Sequence, residues 1–328
     1  MRLLRTGRYV LLSGLVLLIA HVGWLIAERG TPHPILPPAG EVIAGKAPLT
    51  FAVVGDTHCH TAVLDQMAEQ AKQEGTMFVV HVGDLTDHGD ARGYEWVLHE
   101  LAESASKLPF CPVPGNHDCA DKTPNAKERY AMYSNAFGPR EYWFACDNAL
   151  FVALDDSTRS VQPADVEWLD ETLGRLRAQY KACFVFMHVP LGHAPTPTRP
   201  GPKDRGDLLA EILNKWNVTA VFCGHIHTYI QDTIGNVPRY ISGGGGGRLE
   251  VPGESHHYLL CRVGTDGRLT VEKKNVAASD ADWLERGMWW ACWGNKTLVA
   301  AAALVGLGVM LMWRASRRKS FASGSAPG

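Results

Sequence analysis

Residues 49–60 read LTFAVVGDTHCH, and this stretch is the first indication of the fold of the chain. Six apolar or β-branched residues lead into Gly55, a pattern typical of a buried strand that stops at a sharp turn. Three possible metal ligands then follow within five positions: Asp56, His58 and His60. We therefore expect polar donors at the carboxyl end of a buried strand.

The same pattern recurs along the middle of the chain. Short apolar runs lie at 77–84, 110–118, 149–156, 183–190 and 219–227. Helix-like stretches separate several of them, and this alternation predicts an α/β layered domain. Three later runs, at 239–244, 256–264 and 268–276, follow one another without helices, so we expect them to be antiparallel additions to the sheet.

The polar side chains at these strand ends form one candidate site. They are Asp56, His58, Asp84, Asn116, His117, His188, His225 and His227. In an open α/β sheet the crevice beyond the carboxyl ends of the strands is where sites form. In an extended chain residues i and i+2 point the same way, so Asp56/His58 and His225/His227 would each aim two donors into one space. Oxygen and imidazole donors without a thiolate suit manganese, zinc or ferrous iron.

The order of the motifs carries a family resemblance. Along the chain stand DxH (56–58), GD (83–84), GNHD (115–118), His188 and GHxH (224–227). With this set the chain resembles the calcineurin-like metallophosphoesterases over about residues 49–265, and is especially similar to the class III cyclic-nucleotide phosphodiesterases. The resemblance implies a four-layer αββα sandwich of two sheets flanked by helices, and a centre of two divalent ions (Mn, Fe or Zn).

The resemblance also implies a role for each ligand. It places the first ion on Asp56, His58 and His227, the second on Asn116, His188 and His225, and Asp84 between both. A hydroxide bridging the two ions would attack the phosphorus of a phosphate ester in line. His117 would protonate the departing oxygen or stabilise phosphoryl charge, and Asp118 would fix the tautomer and position of His117.

One position departs from a branch of the family. In the purple acid phosphatases a tyrosine that holds ferric iron stands three residues after the bridging aspartate, whereas Asp87 stands there in this chain. We expect no tyrosinate colour and no requirement for ferric iron. Asp87 and His88 are expected either to hold a metal ligand in place without binding the metal themselves, or to shape the turn.

Several other candidates have plainer interpretations. His60 is expected to open a helix, and His81 to be a hydrogen-bonded core residue. Asp155 and Asp156 are expected to be turn residues. The glycine run 243–247 would either allow a close backbone approach to the site or form a flexible turn.

Both ends of the chain are predicted to be membrane anchors. Residues 9–27 contain no charged side chain, have about the length of a bilayer core and follow the basic MRLLRTGR. Residues 297–313 are apolar and precede RASRRK. The positive flanks predict cytoplasmic termini, with the middle of the chain on the periplasmic or extracellular side. Alternatives are a cleaved signal peptide, a pair of buried core helices, and a C-terminal sorting signal removed on maturation.

The predicted organisation follows from these segments. It comprises a basic tail (1–8), a transmembrane helix (9–27), a linker (28–47), a catalytic domain (48–285), an interfacial segment (286–296), a second transmembrane helix (297–313) and a basic tail (314–328). The linker is rich in proline and glycine. The loop 191–206 is a candidate cap on the substrate side.

Charge and cysteine content limit the alternatives. The net charge is -2, from 32 basic and 34 acidic residues, so no specific nucleic acid partner is expected. Eight cysteines without CxxC spacing exclude a zinc ribbon or thioredoxin-like motif. Disulfides stay open, with Cys111 and Cys119 nearest in sequence.

The preferred function is hydrolysis of phosphodiesters by a membrane-anchored, metal-dependent phosphoesterase. One alternative is a phosphomonoesterase acting on lipid-linked or envelope phosphates. The alternative of a different class is a non-catalytic membrane scaffold or receptor that kept the fold.

Overall fold

The computed structural model describes residues 2–27, 40–45, 48–104, 107–119, 126–159, 161–191, 206–277 and 296–323. The chain divides into two compact units, one of residues 33–282 and one that joins 1–32 to 283–328. Most of the predicted linker, nearly all of the interfacial segment and the candidate cap (192–205) lie outside the described residues.

The larger unit is built from strands and helices that alternate in its first two thirds. Its strands are β1 (Val42–Ile43), β2 (Leu49–Val54), β3 (Val79–Val82), β4 (Phe110–Val113), β5 (Tyr142–Cys146), β6 (Ala149–Ala153), β7 (Ala182–Phe186), β8 (Ala220–Cys223), β9 (Tyr229–Ile234), β10 (Val237–Ser242), β11 (His257–Val263) and β12 (Leu269–Asn275). Its α-helices are α2 (Thr61–Gln73), α3 (Ala91–Glu103), α4 (Asn116–Cys119), α5 (Ala126–Phe137), α6 (Pro163–Leu176) and α7 (Gly206–Lys215), and a 3₁₀ turn spans Arg177–Gln179.

The strands form two mixed sheets. One has seven strands in the order β1-β5-β6-β7-β8-β10-β9, and the other has five in the order β12-β11-β2-β3-β4. β2, β3 and β4 are parallel, as are β6, β7 and β8, so their carboxyl ends meet at one edge of each sheet. This shared edge is where the predicted donors lie.

The antiparallel expectation for the late strands is confirmed only in part. β11 pairs antiparallel with β2 and β12, as predicted. β10, however, is parallel to β8 and antiparallel to β9. The sequence prediction missed β9, which reverses the chain direction so that β10 returns parallel to β8.

Aromatic side chains join the two sheets. The ring of Phe51 on β2 lies 5.2 Å from Phe151 on β6 and 5.4 Å from Phe184 on β7, centroid to centroid. All three side chains are fully buried. Since truncating such a ring to alanine costs about 3–5 kcal/mol, this interface holds the two sheets face to face.

Helices cover the outer faces of both sheets. Leu169 and Leu173 of α6 and Leu213 of α7 are fully buried in a cluster with side chains of β7 and β8, such as Val185 and Val221. On the other sheet α2 packs against β2 and β11. The helix, sheet, sheet, helix layering is the architecture that the resemblance implied.

The smaller unit contains two long helices that pack against each other, α1 (Arg2–Ala27) and α8 (Lys296–Ser323). A Cβ atom at Gly14 would lie 2.9 Å from the carbonyl oxygen of Ala301, so a glycine permits close approach here. Over the described residues, no helix is both long enough and apolar enough to cross a membrane. The two predicted spans, 9–27 and 297–313, lie within α1 and α8 and are therefore helical. Their insertion into a bilayer is not confirmed.

Cysteine chemistry is uniform in the described part of the chain. Seven cysteines there are free and buried, Cys111 and Cys119 among them. Burial raises the pKa of Cys183 to about 12. These thiols act as small apolar side chains of the core.

Candidate metal centre

The candidate site lies at the carboxyl ends of strands from both sheets. The loops after β2 and β3 carry Asp56 and His58, then Asp84. The short helix α4 after β4 carries Asn116 and His117, and the segments after β7 and β8 carry His188, His225 and His227. Metal ligands predicted from five separate motifs thus converge on one edge of the sandwich.

Three groups of side chains there could each hold a cation. Within each group the candidate ligand atoms lie no more than 4.8 Å from one another. The groups are Asp56/His58/His227, His58/Asp84/His117 and Asp84/His188/His225. His58 and Asp84 each belong to two groups, so the three form one continuous cluster.

The backbone of these ligands is not extended, contrary to the expectation for the DxH and GHxH pairs. The φ angles of Asp56, His58, Asp84 and His225 are 61°, 48°, 56° and 69°, in the left-handed region. Such a conformation costs a non-glycine residue about 1–2 kcal/mol and is typical of functional sites. The pairs converge because the chain turns sharply at Asp56, His58 and His225.

Backbone hydrogen bonds hold these turns. Asp56 N donates to Gly83 O at 2.9 Å, and His58 N donates to Asp84 O at 3.0 Å. The loop after β2 is therefore locked to the loop after β3. This tie keeps the two ligand-bearing loops in register.

The first group, Asp56/His58/His227, has the spacing of ligands around one ion. His227 Nε2 lies 3.2 Å from His58 Nε2 and 3.3 Å from Asp56 Oδ1. His227 Nδ1 donates to Arg248 O at 2.7 Å, which leaves the lone pair of the neutral ring on Nε2. Two ligands at about 2.1 Å from one ion lie about 3.0–3.4 Å apart, so the donors fit a metal.

The second group, Asp84/His188/His225, fits by the same test. His188 Nδ1 donates to Val82 O at 2.8 Å, and its Nε2 lies 3.3 Å from Asp84 Oδ2. Asn116 Oδ1, the seventh predicted ligand atom, lies 3.2 Å from His188 Nε2. Asp84 Oδ2 is buried, and no described residue donates a hydrogen bond to it. A buried carboxylate oxygen in that position calls for a cation.

The charges of this cluster are strongly coupled. Burial lowers the pKa of His188, but the carboxylates of Asp84 and Asp56 outweigh it and raise that pKa to about 10. Burial raises the pKa of Asp84, but His188 outweighs it and holds that pKa below its usual range. Burial, followed by the charge of His188, lowers the pKa of His225 to about 3. The buried carboxylates thus favour positive charge in this cluster, which a bound metal ion would supply.

His117 is placed to act on a bound ligand. It lies in α4, partly exposed, with its ring centroid 4.7 Å from that of His58. Its Nδ1 lies 2.8 Å from Asp87 O and donates to it, so Nε2 is the nitrogen left for chemistry.

The tautomer role predicted for Asp118 is wrong. Its carboxylate accepts hydrogen bonds from Gly115 N, Leu85 N, Thr86 N and Thr86 Oγ1, at 2.9, 3.1, 2.9 and 3.0 Å. It does not fix the tautomer of His117, whose Nδ1 donates to Asp87 O, because its carboxylate bonds to Gly115 and to the loop that follows Asp84. Asp118 braces that loop instead.

Two supporting residues were missed or left open. Asp87 Oδ1 lies 3.5 Å from His58 Nδ1, so Asp87 orients a ligand ring, and only its place after the bridging aspartate pointed to it. Asp156 accepts from His188 N at 2.8 Å and from Val189 N at 2.9 Å. The sequence marked Asp156 only as a turn residue, like Asp155, and gave no sign of its bonds to the His188 segment. Both turns are present: Ser157 N donates to the Asp155 carboxylate at 3.0 Å, and Arg159 N donates to Asp156 O at 2.8 Å.

The plainer interpretations of two histidines agree with the structure. His81 is fully buried, with Nε2 3.2 Å from Thr57 Oγ1, and burial lowers its pKa to about 3. His60 immediately precedes α2 and belongs to none of the ligand groups found among the described residues.

The glycine run is a wall of the site. A Cβ atom at Gly247 would lie 2.7 Å from His58 Cδ2 and 2.9 Å from Asp56 O, and one at Gly243 would lie 3.0 Å from Asp56 Oδ2. Side chains at these positions would displace the ligands. Close backbone approach is therefore the reason for glycine here.

Comparison with known proteins agrees with this geometry. Residues 49–229 match the calcineurin-like phosphoesterase family, which is more than half of the chain. A probable cyclic nucleotide phosphodiesterase of Fibrobacter succinogenes is 24% identical over 149 residues, which cover 44% of this chain and 56% of that protein. A probable glycerophosphodiester phosphodiesterase of Arcobacter nitrofigilis is 26% identical over 170 residues, which cover 45% of this chain and 56% of that protein. The chain thus spans little more than half the length of these curated relatives.

Solved structures share the fold at low sequence identity. A purple acid phosphatase from yellow lupin has a TM-score of 0.56 and 14% identity, over 69% of this chain and 51% of that one. A dimetal phosphatase from Danio rerio has a TM-score of 0.55 and 15% identity, and the match covers 70% of this chain and 97% of that one.

Fold, ligand cluster and family match define a calcineurin-like metallophosphoesterase as the class of protein. This chain belongs to the calcineurin-like phosphoesterase family.

Proposed function

We propose that the chain is a metal-dependent phosphodiesterase with a centre for two divalent ions. The observation that carries the proposal is the sharing of His58 and Asp84 between adjacent ligand groups. Two cations held close together repel each other, and a buried carboxylate between them offsets that repulsion. A scaffold that had lost its chemistry would have no reason to keep strained ligands in this cluster.

The residues would divide the work as their contacts suggest. Asp56, His58 and His227 would hold one ion, and Asn116, His188 and His225 the other, with Asp84 between them. Such ions, when bound, polarise phosphoryl oxygens and lower the pKa of water near neutrality. Nε2 of His117, left over from the bond to Asp87 O, would give a proton to the departing oxygen.

Phosphodiesters are the proposed substrate class, with nucleotides and glycerophosphodiesters as the first compounds to try. The support is the similarity to two proteins described as probable diesterases of these kinds. A phosphomonoesterase is the alternative that the same experiment separates.

The test is hydrolysis by the purified full chain after loading with Mn²⁺, Zn²⁺ or Fe²⁺. Bis(p-nitrophenyl) phosphate, a cyclic nucleotide and a glycerophosphodiester should be cleaved, and a chelator should abolish the reaction. The Asp84→Asn variant is the matched control, because it removes charge while keeping shape. Metal-loaded protein that cleaves no ester would refute the proposal, and one that cleaves only monoesters would establish the alternative.

We further propose that the terminal helices attach the chain to a membrane, with the catalytic unit on the non-cytoplasmic side. The support is the sequence of the two apolar segments and their basic outer flanks. Carbonate washing of membranes tests the attachment, and reporter fusions near residues 30, 150 and 285 test the side. Recovery of the chain in the wash, or a cytoplasmic reporter at 150, would contradict it without affecting the enzymatic proposal.

A further inference from the structure

The glycine run 243–247 encloses the first ligand group. Gly247 N donates to Asp56 O at 2.8 Å, and a Cβ atom at Gly247 would lie 3.1 Å from His227 Cε1. The carbonyl oxygen of Arg248, directly after the run, accepts the bond from His227 Nδ1 at 2.7 Å. A shift of the run would therefore move the ligands of the first group.

His257 is the first residue of β11 and packs against this run. β11 is antiparallel to β2, with Leu259 opposite Val53, so the start of β11 lies near the carboxyl end of β2, where the first ligands follow. His257 N donates to Gly244 O at 3.0 Å. A Cβ atom at Gly244 would lie 2.3 Å from both Nδ1 and Cε1 of His257, so the imidazole lies directly on the glycine.

The imidazole of His257 is fully buried, and burial lowers its pKa, so the ring is neutral. Its Nδ1 donates to Ser255 O at 3.0 Å, with Glu254 Oε1 3.8 Å away. Its Nε2 is buried and accepts no hydrogen bond from any described residue. Such an unsatisfied acceptor costs about 1–3 kcal/mol, so stability alone would favour an apolar side chain at this position. What the imidazole adds is a flat ring of fixed orientation against Gly244.

We propose that His257 is a positioning residue for the first metal ion: its ring holds Gly244, and with it the glycine run, against the first ligand group. This inference rests on the proposed two-ion centre. The second ligand group is held by other contacts, since His188 N donates to Asp156 and His188 Nδ1 donates to Val82 O. His257 should therefore matter for one ion and not for the other.

The first test measures Mn²⁺ binding to the full chain by calorimetry. In His257→Ala the Kd of one ion should rise about tenfold or more, the loss expected when the outer partners of a metal ligand are disturbed. The Kd of the other ion should change by no more than about twofold. His257→Asn, whose amide can donate to Ser255 O, should show a smaller loss of the same ion, and it carries the test should His257→Ala not fold.

Two comparisons assign the loss to the first ion. His227→Ala already lacks a ligand of that ion, so adding His257→Ala to it should leave the Kd of the remaining ion within about twofold. Val263→Ala is the matched control, because Val263 is buried at the other end of β11, opposite Leu49, and it should bind both ions like wild type.

The second test uses the fit between Gly244 and His257. Gly244→Ala should weaken binding of the first ion, because the three atoms nearest to the new Cβ all belong to the His257 ring. The double variant Gly244→Ala/His257→Ala lacks that ring and should bind this ion more tightly than Gly244→Ala. Such a reversal is expected for two residues in direct contact, whereas a general loss of stability would add the two defects.

The outcomes separate this role from the proposed centre. Wild-type affinity for both ions in His257→Ala and in His257→Asn would overturn the role of His257. Equal weakening of both ions, or a double variant that binds no better than Gly244→Ala, would also overturn it and leave His257 a residue of the core. A wild type that does not bind two ions would instead refute the proposed centre.

Discussion

His58 Nε2 and His227 Nε2 face each other at 3.2 Å, although 169 residues separate them. The bond from His227 Nδ1 to Arg248 O leaves the lone pair of a neutral His227 on Nε2. His58 Nδ1 in turn lies beside the carboxylate of Asp87, which directs its Nε2 inward. Two nitrogens so directed need a cation or a proton between them.

The first prediction is that divalent metal stabilises the fold through this pair. Metal at a hundredfold excess over its Kd adds about 2.7 kcal/mol per site if it binds only the folded state. The melting temperature should therefore rise on adding Mn²⁺ or Zn²⁺ and fall with a chelator. His227→Ala should remove a large part of that response in differential scanning fluorimetry. An unchanged response would exclude His227 as a ligand.

The second prediction concerns the shared carboxylate. Asp84→Asn should lower occupancy of both ions, because the remaining amide cannot offset their mutual repulsion. His60→Ala, beside the same loop but outside the ligand groups, should keep about two ions per chain. Elemental analysis of the purified variants measures both. Equal losses would mean that His60 is a ligand.

Much of this site could be predicted because its ligands follow glycine or lie beside it at strand ends, as at Asp56, Asp84 and His225. That local pattern is visible in one sequence. The role of Asp156 is not visible in the sequence, because its bonds to His188 N and Val189 N depend on the parallel pairing of β6 with β7. Asp118 was misjudged for the same reason: adjacency to His117 in sequence does not show that its carboxylate turns to another loop.

The strand β9 escaped prediction because of its composition and its place in the sheet. β9 has the sequence YIQDTI and is half-exposed along its length at the edge of the seven-stranded sheet. An edge strand with polar residues lacks the apolar run that marks the buried strands. β5 lies between the edge strand β1 and β6, and the prediction placed no strand between residues 118 and 149. The direction of β10 could not be derived once β9 was missed.

The third prediction follows from the glycine run. Gly247→Ala should weaken metal binding at the first group, since its Cβ would lie 2.7 Å from His58 Cδ2 and 2.9 Å from Asp56 O. Gly138→Ala is the control: it is strained by a φ of 87° but has no atom within 4 Å of the new Cβ. The control should lose about 1–2 kcal/mol of stability and keep its metals. Equal metal content in both variants would contradict the close approach.

The fourth prediction is a pH dependence at a residue that is not a candidate metal ligand. Burial, followed by the charge of Asp165, raises the pKa of Glu141 from 4.5 to about 7. The folded state therefore binds more protons between these values, so this contribution is present below pH 4.5 and is lost as pH rises through 7. After allowance for solvent screening, about 1–2 kcal/mol should be lost over that window.

Urea unfolding of Glu141→Gln at pH 5 and pH 8 measures this contribution. The variant should lack that part of the pH dependence and gain stability relative to wild type at the higher pH. Glu167→Gln, an exposed glutamate of α6, is the control and should follow wild type. If the stability of Glu141→Gln depended on pH as strongly as that of wild type, another group would be responsible for the dependence.

The fifth prediction separates binding from chemistry at His117. If its Nε2 gives a proton to the leaving oxygen, His117→Ala should keep both metals and its substrate affinity while kcat falls roughly 10²–10⁴-fold. The loss should shrink for p-nitrophenyl esters, because a phenolate of low pKa departs without a proton. Steady-state kinetics across a series of leaving groups measures this.

His117 also shares a ligand group with His58 and Asp84, so the rival role is that of a metal ligand. Metal analysis of His117→Ala decides between them, since a ligand variant loses an ion and a proton donor variant does not. A loss of kcat that is equal for all leaving groups, with metals retained, would instead assign His117 to stabilising phosphoryl charge. The bond from Nδ1 to Asp87 O is compatible with each role, because it leaves Nε2 free to give a proton, to bind an ion or to face an oxygen.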